Sequence, residues 1–102
     1  MKKGTIVYLK LKPECVEKYK EYHDNIWPEL VEAYRQAGIT TISCGLNDSY
    51  LIVYEEYADG QYEQARKKLA GNEIEMRWKS LMRQLRDPSF ELMEFTEVFR
   101  ME

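Results

Sequence analysis

Residues 39–57 read ITTISCGLNDSYLIVYEEY. β-branched and aromatic residues fill both halves, and Asn47, Asp48 and Ser49 between them are turn formers. The stretch predicts two strands, 39–46 and 50–57, joined as a hairpin. Its flanks decide what the hairpin belongs to. Downstream, DGQYEQARKKLAG (59–71) reads as a helix closed by Gly71, and NEIEMRWKSLMRQL (72–85) as another that Asn72 can cap. DPSF interrupts the helical pattern, and ELMEFTEVFRM (91–101) reads as a last strand. Upstream, GTIVYLKL (4–11) alternates as a strand does, and Pro13 stands where a helix can begin.

The segment between Pro13 and Gly38 has helical spacing: Val16, Tyr19, His23 and Ile26 fall on one face. Pro28 cannot continue that helix, because it lacks an N–H and clashes with the preceding turn. Trp27, before it, is pushed toward extended angles. A break is therefore expected at 24–27, with Asp24 or Asn25 capping a second helix, 28–37, that stops at Gly38. The order is strand, helix, strand, strand, helix, strand. It predicts one α+β domain over 1–102, a ferredoxin-like βαββαβ arrangement with a four-stranded antiparallel sheet and helices on one face.

Composition narrows the function. The chain of 102 residues carries a net charge of −3 and no basic run, which argues against a nucleic-acid partner. Lys10 and Lys12 interrupt the N-terminal apolar run, so no membrane span or export signal is read there. Cys15 and Cys44 stand apart without a CxxC pair and read as reduced thiols of a cytoplasmic protein. One histidine and two scattered cysteines make no zinc site, which wants four N/S ligands, so no metal is expected.

Two features point further. In the last strand one side carries Met93, Phe95 and Phe99, and the other carries Leu92 and Val98 among Glu94 and Thr96. A sheet covered on one face should be polar on the other, so apolar residues on both sides predict a homodimer packed sheet against sheet. The stretch EYHDNIWPEL (21–30) holds the only histidine, one of two tryptophans and one of three prolines. His23 follows Tyr19 by one helical turn, and imidazole exchanges protons near neutral pH. Trp27 and Trp78 offer flat apolar faces suited to a sugar ring, and Glu29 can supply hydrogen bonds. A lone histidine on an apolar helix face is equally what a hydrogen-bonded structural residue looks like.

YKEYHDNIWPEL (19–30) resembles the L-rhamnose mutarotase family, whose signature is a Tyr, a His four residues later, then Ile-Trp-Pro-Glu-Leu. Tyr19, His23, Ile26, Trp27, Pro28, Glu29 and Leu30 keep that order. MRWKSLM (76–82) resembles the family's paired-tryptophan segment, and Glu97, Val98 and Phe99 match the Glu-Val-Phe run of its last strand. The resemblance implies a dimeric α+β barrel and an isomerase of the aldose 1-epimerase type. Such an enzyme interconverts the α and β anomers of a free pyranose sugar without a cofactor. It implies His23 as the proton donor and Tyr19 as a second catalytic group on the same helix, with Trp27, Trp78, Arg77, Ile42 and Glu29 around the sugar. The chain departs from the family where a substrate-contacting tyrosine is replaced by Ile42 and a tryptophan by Arg77, and its loop before the last strand is the short RDPSF. L-rhamnose, L-fucose and other aldoses therefore stay open as substrates. A cofactor-free monooxygenase or cyclase of the same barrel architecture, and a non-catalytic sugar-binding dimer, are the competing readings.

Overall fold

The computed structural model describes residues 2–102. Strand β1 (Lys3–Lys10) lies between β3 (Tyr50–Tyr57) and β4 (Met93–Thr96), and β2 (Ile39–Asn47) flanks β3 on the far side. The order β2-β3-β1-β4 with every pairing antiparallel is the ferredoxin-like sheet that the sequence predicts. Helices α1 (Val16–Asp24) and α2 (Pro28–Ala37) connect β1 to β2, and α3 (Tyr62–Ala70) and α4 (Glu73–Leu85) connect β3 to β4.

Local chemistry sets the boundaries. Asp48 takes the left-handed conformation (φ 58°) in the two-residue turn between Asn47 and Tyr50. Trp27 is extended (φ −67°, ψ 124°), so α1 and α2 part where Pro28 demands it. The Asn72 side chain accepts the Glu75 N–H at 2.9 Å and caps α4. Gly38, at φ 108°, closes α2 in a geometry that costs other residues strain.

Three expectations need correction. Neither Asp24 nor Asn25 caps α2. The Leu30 and Val31 N–H groups reach the Trp27 carbonyl, while Asn25 turns back and donates its amide to the Glu21 carbonyl at the end of α1. Helix α3 starts at Tyr62, because Gly60, at φ 72°, belongs to the preceding turn. The last strand stops at Thr96 rather than running to Met101. Beyond it Arg100 folds back onto Glu97, Glu56 and the Tyr54 hydroxyl at 2.7–3.0 Å. These side chains lie over Gly4, the residue the next ladder step would have used.

All helices sit on one side of the sheet, and two apolar clusters hold them there. Leu9, Leu11, Tyr19, Leu51 and Leu85 form one, and Ala37, Ile39, Tyr57, Ala65 and Leu69 the other. Each fully buried large side chain is worth about 1.5–3 kcal/mol. The β2–β3 register places Ile42 opposite Glu55, Cys44 opposite Val53 and Leu46 opposite Leu51. This row lies on the sheet's helix-facing side and runs from the first cluster, at Leu46, Leu51 and Val53, to Ile42 and Glu55. No helix covers the other side, where Phe90 packs on Tyr8 and Tyr50 and the C-terminal arm lies over Gly4.

Candidate active site

The gap between the clusters is an open groove. Its floor draws on all four strands, and its walls come from α1, α2, α3 and α4. Helix α1 delivers the histidine. The His23 ring stacks on Tyr19 at 4.1 Å, and its Nδ1 lies 2.9 Å from the Tyr19 carbonyl oxygen. A carbonyl only accepts, so Nδ1 carries a proton and donates it. Nε2 is then the atom left for chemistry: an acceptor in the neutral ring and a donor in the imidazolium. His23 is half-buried and lines the groove, so it is not sealed in the core.

Trp78 sets the other side of the imidazole, edge-to-face at 5.2 Å, and helix α4 buries most of the indole. Trp27 packs edge-to-face on Trp78, also at 5.2 Å, and stands behind it rather than in the groove lining. The helix break thus aims Trp27 at a supporting position and brings Ile26 to the groove. Ile42 is on the floor and 39% exposed. Arg77 and Glu29 are exposed and lie outside the lining. Two residues past Arg77, Lys79 lines the groove, as Arg83 of the same helix does, and pairs with Glu75 at 3.5 Å.

Tyr19 is buried, and its hydroxyl lies close enough to the Cys44 thiol for the two to interact. Burial drives that hydroxyl well above the ordinary phenol range, and Cys44 adds to the effect. Burial therefore favours the neutral phenol at Tyr19, whose ring and backbone carbonyl both meet His23.

The sequence reading missed a second polar cluster on the same floor. Glu55 lines the groove, and the Tyr57 hydroxyl donates to it at 3.4 Å. Arg66 in turn donates to that hydroxyl at 3.5 Å. Burial pushes the Glu55 carboxyl above the usual carboxylate range, while Arg66 and Lys79 pull it back. Strand alternation held the clue: Glu55 shares its side of β3 with Leu51, Val53 and Tyr57, where an apolar residue is the rule. Among the described residues, no group of three or more His, Cys, Asp or Glu side chains stands together as a metal site.

The sequence model of L-rhamnose mutarotase matches residues 5–101. The chain belongs to the L-rhamnose mutarotase family. An L-rhamnose mutarotase of Tolumonas auensis is 32% identical over 97 residues, 89% of this chain and 90% of that protein. The L-rhamnose mutarotase of Jannaschia sp. is 39% identical over 46 residues, so the chain spans 44% of the length of that relative. The crystal structure of an L-rhamnose mutarotase from Formosa agariphila, 27% identical, superposes with a TM-score of 0.73 over 97% of this chain and 98% of that one. Family membership supports an isomerase over the monooxygenase and binding-module readings.

Proposed function

We propose that this protein is a sugar mutarotase. It interconverts the α and β anomers of a free monosaccharide, L-rhamnose or a related deoxy or plain aldose, by aldose 1-epimerase-type acid–base catalysis without a cofactor. Mutarotation opens a cyclic hemiacetal and closes it on the other face. It needs a proton delivered to the ring oxygen and another taken from the anomeric hydroxyl. The observation that carries the reading is the fixed imidazole: Tyr19 holds Nδ1, and Nε2 is left for an open groove beside Trp78. His23 as imidazolium protonates the ring oxygen, and the Trp78 edge borders the space for the ring. Anomer exchange of L-rhamnose, L-fucose and a panel of aldoses, followed by saturation-difference NMR, tests this. Exchange faster than buffer for one sugar, lowered about 10²–10⁴-fold by His23→Ala, is expected. A whole panel exchanging at the buffer rate would sink it.

The same reading includes a cytoplasmic homodimer. The face of the sheet that no helix covers presents Tyr50, Ile52, Met93 and Phe95 as exposed apolar side chains, a patch that usually marks an interface. No helix among the described residues is long and apolar enough to cross a membrane. Sedimentation should give twice the 12.2 kDa chain mass, and Phe95→Glu should return it to one.

A further inference from the structure

We propose that Glu55 is the second proton-transfer group of the groove, its carboxylate accepting the proton of the anomeric hydroxyl while His23 serves the ring oxygen. The inference rests on the mutarotase reading and supplies the partner that reading leaves unnamed. The register carries it. Cys44 and Val53 form one cross-strand pair on the floor, and Ile42 and Glu55 form the next on the same side. Two residues along a strand span about 7 Å. Tyr19 and Cys44 both line the groove and lie near one another, and His23 stacks on Tyr19. The imidazole and the carboxylate therefore border one stretch of floor from two sides. Ile42, the cross-strand partner of Glu55, lines the groove and is 39% exposed, so it does not seal the carboxylate off.

Tyr19 suits this role less, since its hydroxyl is buried and burial disfavours the phenolate. The neighbouring cations do not capture Glu55: Lys79 pairs with Glu75, and Arg66 gives its hydrogen bond to Tyr57. Tyr57, fully buried, holds one carboxylate oxygen of Glu55 and leaves the other for substrate. A carboxyl held above its usual range by burial is a stronger base than an exposed one.

The step balances. The O1–H proton passes to Glu55, and that bond's electron pair forms the C1–O1 double bond. The C1–O5 pair leaves with O5, which takes the proton from His23 Nε2. The open-chain aldehyde then turns about C1–C2. On closure O5 adds to the other face of C1 and returns its proton to His23, while O1 takes back the proton held by Glu55. Both groups are restored, and no oxidant, reductant or co-reactant is consumed.

The test uses the full chain, with L-rhamnose as probe and the aldose panel if L-rhamnose is inert. Wild type, Glu55→Gln and Glu55→Asp are compared for anomer exchange across pH, for sugar affinity by NMR titration and for melting temperature. The groups facing Glu55 are Tyr57 on its own strand, Cys44 on β2, Tyr34 on α2, Arg66 on α3, and Glu75 and Lys79 on α4. The expected result is exchange about 10²-fold or more slower in Glu55→Gln, with the sugar still bound. The acid limb of the wild-type profile should vanish with it and partly return in Glu55→Asp. Glu55→Gln exchanging within about threefold of wild type, or slowed with the acid limb intact, overturns the role of Glu55 and leaves the mutarotase reading standing. Wild type that accelerates no sugar overturns both.

Discussion

Glu55 and Glu56 are neighbours in the chain and occupy opposite sides of the sheet. Glu55 points under the helices, where burial raises its carboxyl above the ordinary value of 4.5 despite Arg66 and Lys79. Glu56 points to the open side, where hydrogen bonds from Arg100 and Tyr54 lower it to about 2. One side of the sheet thus keeps a carboxylate that works against the fold when charged. The other uses a carboxylate to tie down the C-terminal arm. A carboxylate placed where burial opposes its charge is a feature that working sites share, and it accords with the proposed chemistry on the helix-covered side.

The same contrast runs through the apolar neighbours and gives the largest effect. Leu51 is 2% exposed and Ile52 47%. Leu51→Ala should cost about 2–5 kcal/mol in urea unfolding. Ile52→Ala should stay within about 0.5 kcal/mol for the isolated chain, as surface changes do. A large loss for Ile52→Ala that grows with protein concentration would instead register the apposed sheet of a partner.

The glutamates themselves come next, and their signs differ. The lowered value of Glu56 means that its ionised form favours the fold: the contribution is full above about 4.5 and is lost as pH falls toward about 2. The raised value of Glu55 means that its protonated form favours the fold. Its contribution is full below the ordinary carboxylate range and lost as pH rises through the folded value. At pH 7, Glu56→Gln should lower the melting temperature and Glu55→Gln should hold or raise it. Equal drops for both would erase the distinction between the two sides.

The smallest effect concerns the arm. A Cβ at Gly4 would stand 2.5 Å from a Glu97 carboxylate oxygen, 2.9 Å from an Arg100 nitrogen and 2.9 Å from the Tyr54 ring. The two ionic groups end flexible side chains and can give way. Gly4→Ala should therefore speed hydrogen exchange over residues 97–102 while leaving the melting temperature of the core nearly unchanged. Unaltered exchange there would show that the arm does not depend on Arg100.

Much of the fold was legible because it rests on short-range chemistry. Pro28 stops a helix wherever the chain goes, Gly38 ends one, Asn72 caps one, and the β-branched and aromatic run of residues 50–57 makes a strand. Asn25 was misread because a side-chain cap and a backbone turn compete at the same break, and its amide turned back to the Glu21 carbonyl. The end of β4 was misread because its apolar pattern continues through Val98 and Phe99, whereas the chain turns away to satisfy Arg100.

The site divides the same way. His23 and Tyr19 stand one helical turn apart, so their meeting is settled by helix geometry that the sequence alone dictates. Trp78 comes to His23 only because α4 packs beside α1, and Glu55 comes to the same floor only through strand pairing across the hairpin. The sequence by itself determined the order of elements, the break at Pro28 and the histidine's own helix face. Tertiary structure decided that Trp27 supports rather than lines the groove, that Lys79 rather than Arg77 faces it, and that Glu55 is half-buried there. The reason is range: hydrogen bonds within a turn or a helix are written into neighbouring residues, whereas burial and its electrostatic cost depend on what distant segments bring to lie on top.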